Sequence, residues 1–183
     1  TIDRSELKRK ATTVIPIFAA TFLGIIIIDL FFLEVVIDLP KLLAAQYTIP
    51  ITGMVLGNCL RSNVIGINAF YYSLLEHKER YRFYLSCGAS RSEALESFIG
   101  SALQKSANPT LASMATIGLV SLPGMMTGQI LSGSSPLIAI KYQIMIMVAI
   151  FSGTVLSVYL GIIFTNRFVF TDTDMLDESI LKK

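Results

Sequence analysis

Residues 108–136 read NPTLASMATIGLVSLPGMMTGQILSGSSP, and the fold turns on how that stretch is read. It holds no charged residue, opens on Asn108-Pro109, closes on Ser135-Pro136 and carries a Pro123-Gly124 break between them. Asparagine or serine followed by proline marks a helix start: the side chain caps a free amide, and proline at the first helical position gives up no hydrogen bond. The stretch therefore predicts one apolar helix from Pro109 to about Leu131 and another from Pro136 to about Phe164. A rise of 1.5 Å per residue carries about 20 residues across a ~30 Å hydrocarbon layer. The break then lies roughly 21 Å along, past the middle of the bilayer toward its outer half.

The rest of the chain agrees with a membrane setting. Of 183 residues 53% are hydrophobic and 15% charged, and the mean hydropathy is +0.65, more apolar than an average soluble domain. Two further crossings are expected, Val14 to Ile37 and Tyr47 to Leu75, the second with Pro50 in its first turn. The fold class is thus all-α: a polytopic helix bundle with four transmembrane helices and one amphipathic cytoplasmic helix. One transmembrane domain spans 1–183, with a cytoplasmic region at 76–107 and a cytoplasmic tail at 166–183. The opening TIDRSELKRK has neither an initiator methionine nor a signal-peptide pattern, so the chain reads as a fragment, or as a chain whose beginning lies upstream of Thr1.

Basic residues outside the spans cluster at Arg4 to Lys10, at Lys78 to Lys105 and at Arg167 to Lys183. By the positive-inside rule the amino terminus, the 76–107 segment and the tail face the cytoplasm, in a plasma membrane or, in a bacterium, the inner membrane. Small residues spaced by four, Gly53 and Gly57, Gly124 and Gly128, and Gly153, Ser157 and Gly161, suit close helix packing, with dimerisation as the lesser reading.

Several polar features sit at membrane depth. Asp29 and Glu34 end the first span. Asn58, Arg61, Ser62 and Asn68 share an arc of roughly 120° on the second. A membrane-embedded arginine pairs or faces water, so Arg61 reads either as a structural ion pair with Asp29 or Glu34, or as part of a solute path. The Pro123-Gly124 break frees backbone groups that neighbours, water or a solute must satisfy, and reads either as a packing kink or as the wall of a cavity, with Thr127 and Gln129 adding polar atoms. Met125 and Met126 offer soft ligands but more often fill packing gaps. One histidine and two scattered cysteines give no metal-ligand spacing and no disulfide framework. Any metal ligand is left open.

The charged segment RYRFYLSCGASRSEALESFIGSALQK, 80–105, carries a turn at Gly88 and a capping box of Ser90 with Glu93. The helix that follows is apolar along Ala94, Leu95, Phe98, Ile99, Ala102 and Leu103. It either lies on the bilayer surface or seats its capped start in a partner's groove. Phosphate loops, a serine elbow and HExxH are absent from the sequence, so no enzyme activity and no cofactor is expected in this chain.

The segments IPITGMVLGN (49–58), LSCGASRSEAL (85–95), the whole of 108–136 and AIKYQIMIM (139–147) resemble the permease subunits of iron-export ABC transporters, a FetB-like family that also includes plant aluminium-tolerance permeases. The likeness runs from about residue 45 to 165 and implies a non-enzymatic permease, exporting a metal ion such as iron or a related solute. It further implies a homodimer in the lipid bilayer beside ATP-binding subunits that hold the ATP and Mg, with no nucleic-acid partner. Gly88, Ala89, Ser90, Arg91 and Glu93 would form the coupling element. The transport pathway would involve Asp29, Glu34, Asn58, Arg61, Asn68, Pro123, Gly124, Met125, Met126 and Gln129. Arg61 departs from the family's small or amide residues, and an unpaired cation there would favour an anion or a conjugate. The rival readings are a membrane scaffold or regulator of an ATPase, and a secondary transporter.

Overall fold

The computed structural model of the chain describes residues 11–32, 45–117 and 123–170. Its regular structure is helical: α1 (Ala11–Phe31), α2 (Ala45–Glu76), α3 (Lys78–Ser86), α4 (Arg91–Thr116), α5 (Gly124–Leu131) and α6 (Pro136–Val169). Among the described helices, α6 is long and apolar enough by length and composition to cross a membrane, and α1 adds a shorter apolar stretch, Pro16–Phe31. The 32 residues of α2 carry Asn58, Arg61, Asn63 and Asn68 within the same rod.

Two apolar clusters hold the bundle together. The first joins Phe70, Tyr71 and Leu74 of α2, Tyr81 of α3, Leu95 and Phe98 of α4, and Val158, Ile162 and Val169 of α6. The second joins Ile25 and Ile28 of α1, Ile51, Val55 and Cys59 of α2, and Ile146 and Ala149 of α6. With 34 residues, or ~51 Å at 1.5 Å each, α6 reaches both. Chain order along the clusters makes α1 and α4 run one way and α2 and α6 the other. The start of α1 and the end of α6 therefore lie on the same side.

Small residues let these helices close. Gly24 of α1 faces Ser157 of α6, where an added Cβ would come within 3.3 Å of the Ser157 Cα. Gly153 faces Val55 and Cys59, and Gly161 faces Asn63 and Ile67. The small-residue series of α6 is therefore a packing seam inside the bundle. Gly53, Gly57, Gly124 and Gly128 have no neighbour among the described residues within 4 Å of where a Cβ would stand, so identical spacing in α2 and α5 makes no such contact there.

The structure corrects two expected helix starts. Pro109 does not open a separate helix but lies inside α4, which runs unbroken from Arg91 to Thr116. Pro50 likewise lies inside α2, which begins at Ala45. The expected apolar face of α4 does pack inward: Ala94, Leu95, Phe98 and Ala102 are buried, with Ile99 and Leu103 partly buried against the first cluster. That face rests on the chain's own helices. The break in the third expected span falls between Thr116 and Gly124, where α4 ends and α5 begins.

Candidate functional site

The end of α4 and the start of α5 leave a half-open cleft of about 430 Å³ against α6. Met114 and Ile117 line it from the α4 end, Pro123 and Met126 from α5, and Gln143, Met147 and two isoleucines from α6. None of these residues is charged, and the sequence places none in 118–122 either. Gln143 is 9% exposed and lines the cleft, and its amide has no hydrogen-bond partner among the described residues. Pro123 caps α5 without a side-chain bond, and the first bond within α5 runs from the Thr127 amide to the Pro123 carbonyl at 3.0 Å.

Of the residues expected at the break, Pro123 and Met126 line this cleft. Met125 instead packs toward the second cluster, so the adjacent methionines part. Gly124 is exposed, and the Gln129 Oε1 is buried without a hydrogen-bond partner. Gln143, Met114 and Met147 escaped sequence reasoning. The one available signal was an amide standing seven residues into α6, just after Lys141, with an apolar run following it.

A second polar centre lies between α1, α2 and α6. Thr52 Oγ1 donates to Asp29 Oδ2 at 2.6 Å, while Asp29 Oδ1 is buried with no partner. Asn63 Nδ2 donates to Thr21 Oγ1 and to Ser157 Oγ, each at 2.7 Å. The Asn63 Oδ1 and the Thr154 Oγ1 are left without partners. Further along, Tyr71 donates to Asn166 Oδ1 at 3.1 Å.

The structure does not bring the expected polar stripe of α2 onto this centre. Asn58 Nδ2 donates back to the Met54 carbonyl of its own helix at 2.8 Å. Arg61 is exposed, and no ion pair joins it to Asp29 among the described residues. Asn68 is half-buried. The reason is rotational: Thr52, Val55, Cys59, Asn63, Gly66 and Phe70 occupy the inward face, Ser62 at the edge of the stripe is buried beside it, and Asn58, Arg61 and Asn68 lie around the helix from it. Glu34 lies outside the described residues.

The charged turn is built by local rules. Gly88 has φ +89°, a left-handed conformation that glycine adopts freely. The Gly88 amide bonds the Leu85 carbonyl and the Ala89 amide bonds the Tyr84 carbonyl, closing α3. Ser90 then caps α4: its amide donates to Glu93 Oε2 at 2.7 Å and its Oγ accepts from the Glu93 amide at 3.4 Å. The Arg91 guanidinium stacks 5.6 Å from the centre of the Phe170 ring, which itself lies 6.0 Å from the Tyr81 ring. Ser90 and Glu93 are exposed, while Arg91 and Ala89 are partly covered.

From this exposed cap to the cleft runs the single helix α4, fixed midway where Gly66 of α2 meets Ser106 and Val158. Comparison with known proteins assigns the lineage: the model of an uncharacterised protein family, UPF0014, matches residues 1–170. The chain belongs to that family. The UPF0014 membrane protein YjkA of Bacillus subtilis is 33% identical over 177 residues, 96% of this chain and 70% of its own length. A probable iron export permease protein, FetB of Escherichia coli, is 35% identical over 135 residues, 74% of this chain and 52% of its own. Protein ALUMINUM SENSITIVE 3 of Arabidopsis thaliana is 37% identical over 102 residues, 56% of this chain and 37% of its own. The matched part is thus about half of FetB and less of the plant protein. No solved structure matches. This UPF0014 chain is a membrane protein, as its relatives are.

Proposed function

We propose that the chain is the membrane-spanning permease part of an ATP-driven exporter that moves a metal ion such as iron, or a related solute, out of the cytoplasm. ATP and Mg would sit on a separate subunit, and the working unit would hold two copies of the permease in the plasma membrane. Both chain ends and the α3–α4 turn would face the cytoplasm. The observation that carries the reading is the continuity of α4, whose 26 residues, ~39 Å of helix, join the capped cytoplasmic start to the cleft. Pressure from a partner on Gly88 to Glu93 then reaches Met114 and Ile117 without crossing a loop. Similarity to the Escherichia coli protein, a probable iron export permease, supports the same class.

Within this mechanism Asp29, Asn58 and Asn68 supply polar atoms at membrane depth, and the cleft opens or closes as α4 shifts against α6. Copurification of the full-length protein with an ATP-binding subunit tests the assembly. Gly88→Val and Glu93→Ala should each separate ATP hydrolysis from transport, leaving hydrolysis running while export falls. Unchanged coupling in both variants refutes the reading. Export that persists after ATP depletion would point instead to a secondary transporter.

A further inference from the structure

The six methionines of the described helices divide evenly. Met54, Met125 and Met145 pack against the second apolar cluster, as gap-filling side chains do. Met114, Met126 and Met147 come from α4, α5 and α6 and meet instead on the cleft, each half-buried, beside the amide of Gln143, which has no hydrogen-bond partner among the described residues. We propose that this cleft is a binding site for a soft monovalent metal cation, copper(I) or silver(I) in chemistry, held by the thioethers of Met114, Met126 and Met147 with Gln143 as an auxiliary oxygen.

The donor set decides the class. Thioethers are soft, neutral ligands that favour copper(I) and its congeners, while iron favours imidazole, carboxylate or thiolate. No described lining residue supplies those. Neutral ligands leave the charge of the ion uncompensated in a region of low dielectric. Because the desolvation penalty rises with the square of the charge, a divalent ion costs about four times a monovalent one there. The cleft is also many times the ~30 Å³ share of a water molecule, so three flexible side chains have room to close on an ion. Binding itself stands on the cleft alone; only its use as cargo rests on the permease reading.

The test uses the full-length protein in lipid nanodiscs, with Cys59→Ala and Cys87→Ala removing the two thiols, neither of which lines the cleft. Equilibrium dialysis against silver nitrate in chloride-free buffer measures bound silver per chain, and X-ray absorption reads its sulfur neighbours. One silver per chain with sulfur scattering is expected. Met114→Leu/Met126→Leu/Met147→Leu should weaken binding at least tenfold, and Met126→Leu alone at least threefold, while Met54→Leu/Met145→Leu should leave it unchanged. Leucine keeps side-chain volume, so a well-folded triple variant is the expected state, and the single variant decides if it is not. No silver in the parent, equal loss in both sets, or binding retained in the cleft variants (an adventitious ion only) overturns the site. A failed titration beside intact partner coupling removes the metal site and leaves the permease reading standing. The reverse result removes the permease reading.

Discussion

Gly66→Ala is the most informative single perturbation. An added Cβ at Gly66 would stand 2.5 Å from Val158 Cγ1, 3.4 Å from Val158 Cγ2 and 3.1 Å from Ser106 Cβ. Carbon atoms prefer 3.5–4.0 Å, so the closest contact is about 1 Å inside that range. Val158 is fully buried and β-branched, and in a helix its χ1 has one strongly preferred well, so it has no rotamer to retreat into. Ser106 is equally buried, with its hydroxyl donating to the Leu103 carbonyl at 2.9 Å. Alanine itself favours the helix over glycine by about 1 kcal/mol. Overpacking costs about 1–3 kcal/mol, and a clash this deep against rigid neighbours belongs at the upper end. The net expectation is a loss of about 2 kcal/mol, with α4 pushed away from α2.

Val158→Ala removes both offending methyls. In the double variant the new Cβ enters the space they vacate, so Gly66→Ala/Val158→Ala should fall within about 1 kcal/mol of Val158→Ala alone. Reversible unfolding in mixed micelles gives the four stabilities of the cycle, and partner-stimulated ATPase activity reads whether the seating of α4 matters for coupling. Gly66→Ala as stable as the parent, or a cycle with no interaction energy, would refute the three-helix contact at this point.

Asn63→Val removes two interhelical hydrogen bonds while keeping a branched body. At about 0.6 kcal/mol per such bond in a membrane bundle, micellar unfolding should show a loss near 1 kcal/mol. Asp29→Asn keeps an acceptor for Thr52 and removes a buried charge, so stability should hold or rise; a transport role for Asp29 requires export to fall in the same variant. The Glu93 carboxyl is held below its ordinary value of 4.5 by hydrogen bonds from the Ser90 side chain and backbone. A depressed carboxylate contributes above its unfolded value and loses that contribution as pH falls through the lowered folded one. Amide exchange at the first turn of α4 should therefore quicken as pH drops below about 4.5, relative to Glu93→Gln, which lacks the titration.

What the sequence disclosed was local. The Ser90–Glu93 box, the Gly88 turn and the apolar face from Ala94 to Leu103 follow from neighbours within one or two turns, and the structure builds all three. The rotation of α2 was not local. In water a polar stripe faces out by default, but a bilayer gives no such rule, and both Arg61 and Asn63 are disfavoured facing lipid. Contact with Thr21 and Ser157, 42 and 94 residues away, settles which of them turns inward. The same holds for the small-residue pairs: spacing alone does not separate Gly153 and Gly161, which meet neighbours, from Gly53 and Gly57, which meet none among the described residues. The cleft was hidden for a related reason, since its methionines come from three helices and only Met126 stands at the Pro123-Gly124 break.

Pro109 shows how the membrane changes a local rule. Reading Asn108-Pro109 as a start assumes that the preceding helix stops, which in water leaves its last four carbonyls to the solvent. At the edge of hydrocarbon those four would go unsatisfied, each at several kcal/mol, unless other groups came to them. Continuing through proline gives up one hydrogen bond and crowds one turn, about 3 kcal/mol against alanine. The balance favours the continuous helix. Burial across the junction agrees, because Ser106, Ala107 and Thr110 are all buried and extend the inward face of Phe98 and Ala102 past the proline. Ser113 Oγ also donates to the Pro109 carbonyl at 2.9 Å, engaging an acceptor one turn on. The expected stop at Asn108 was thus a rule for helices ending in water, applied to one whose buried face runs on past the proline to Thr110.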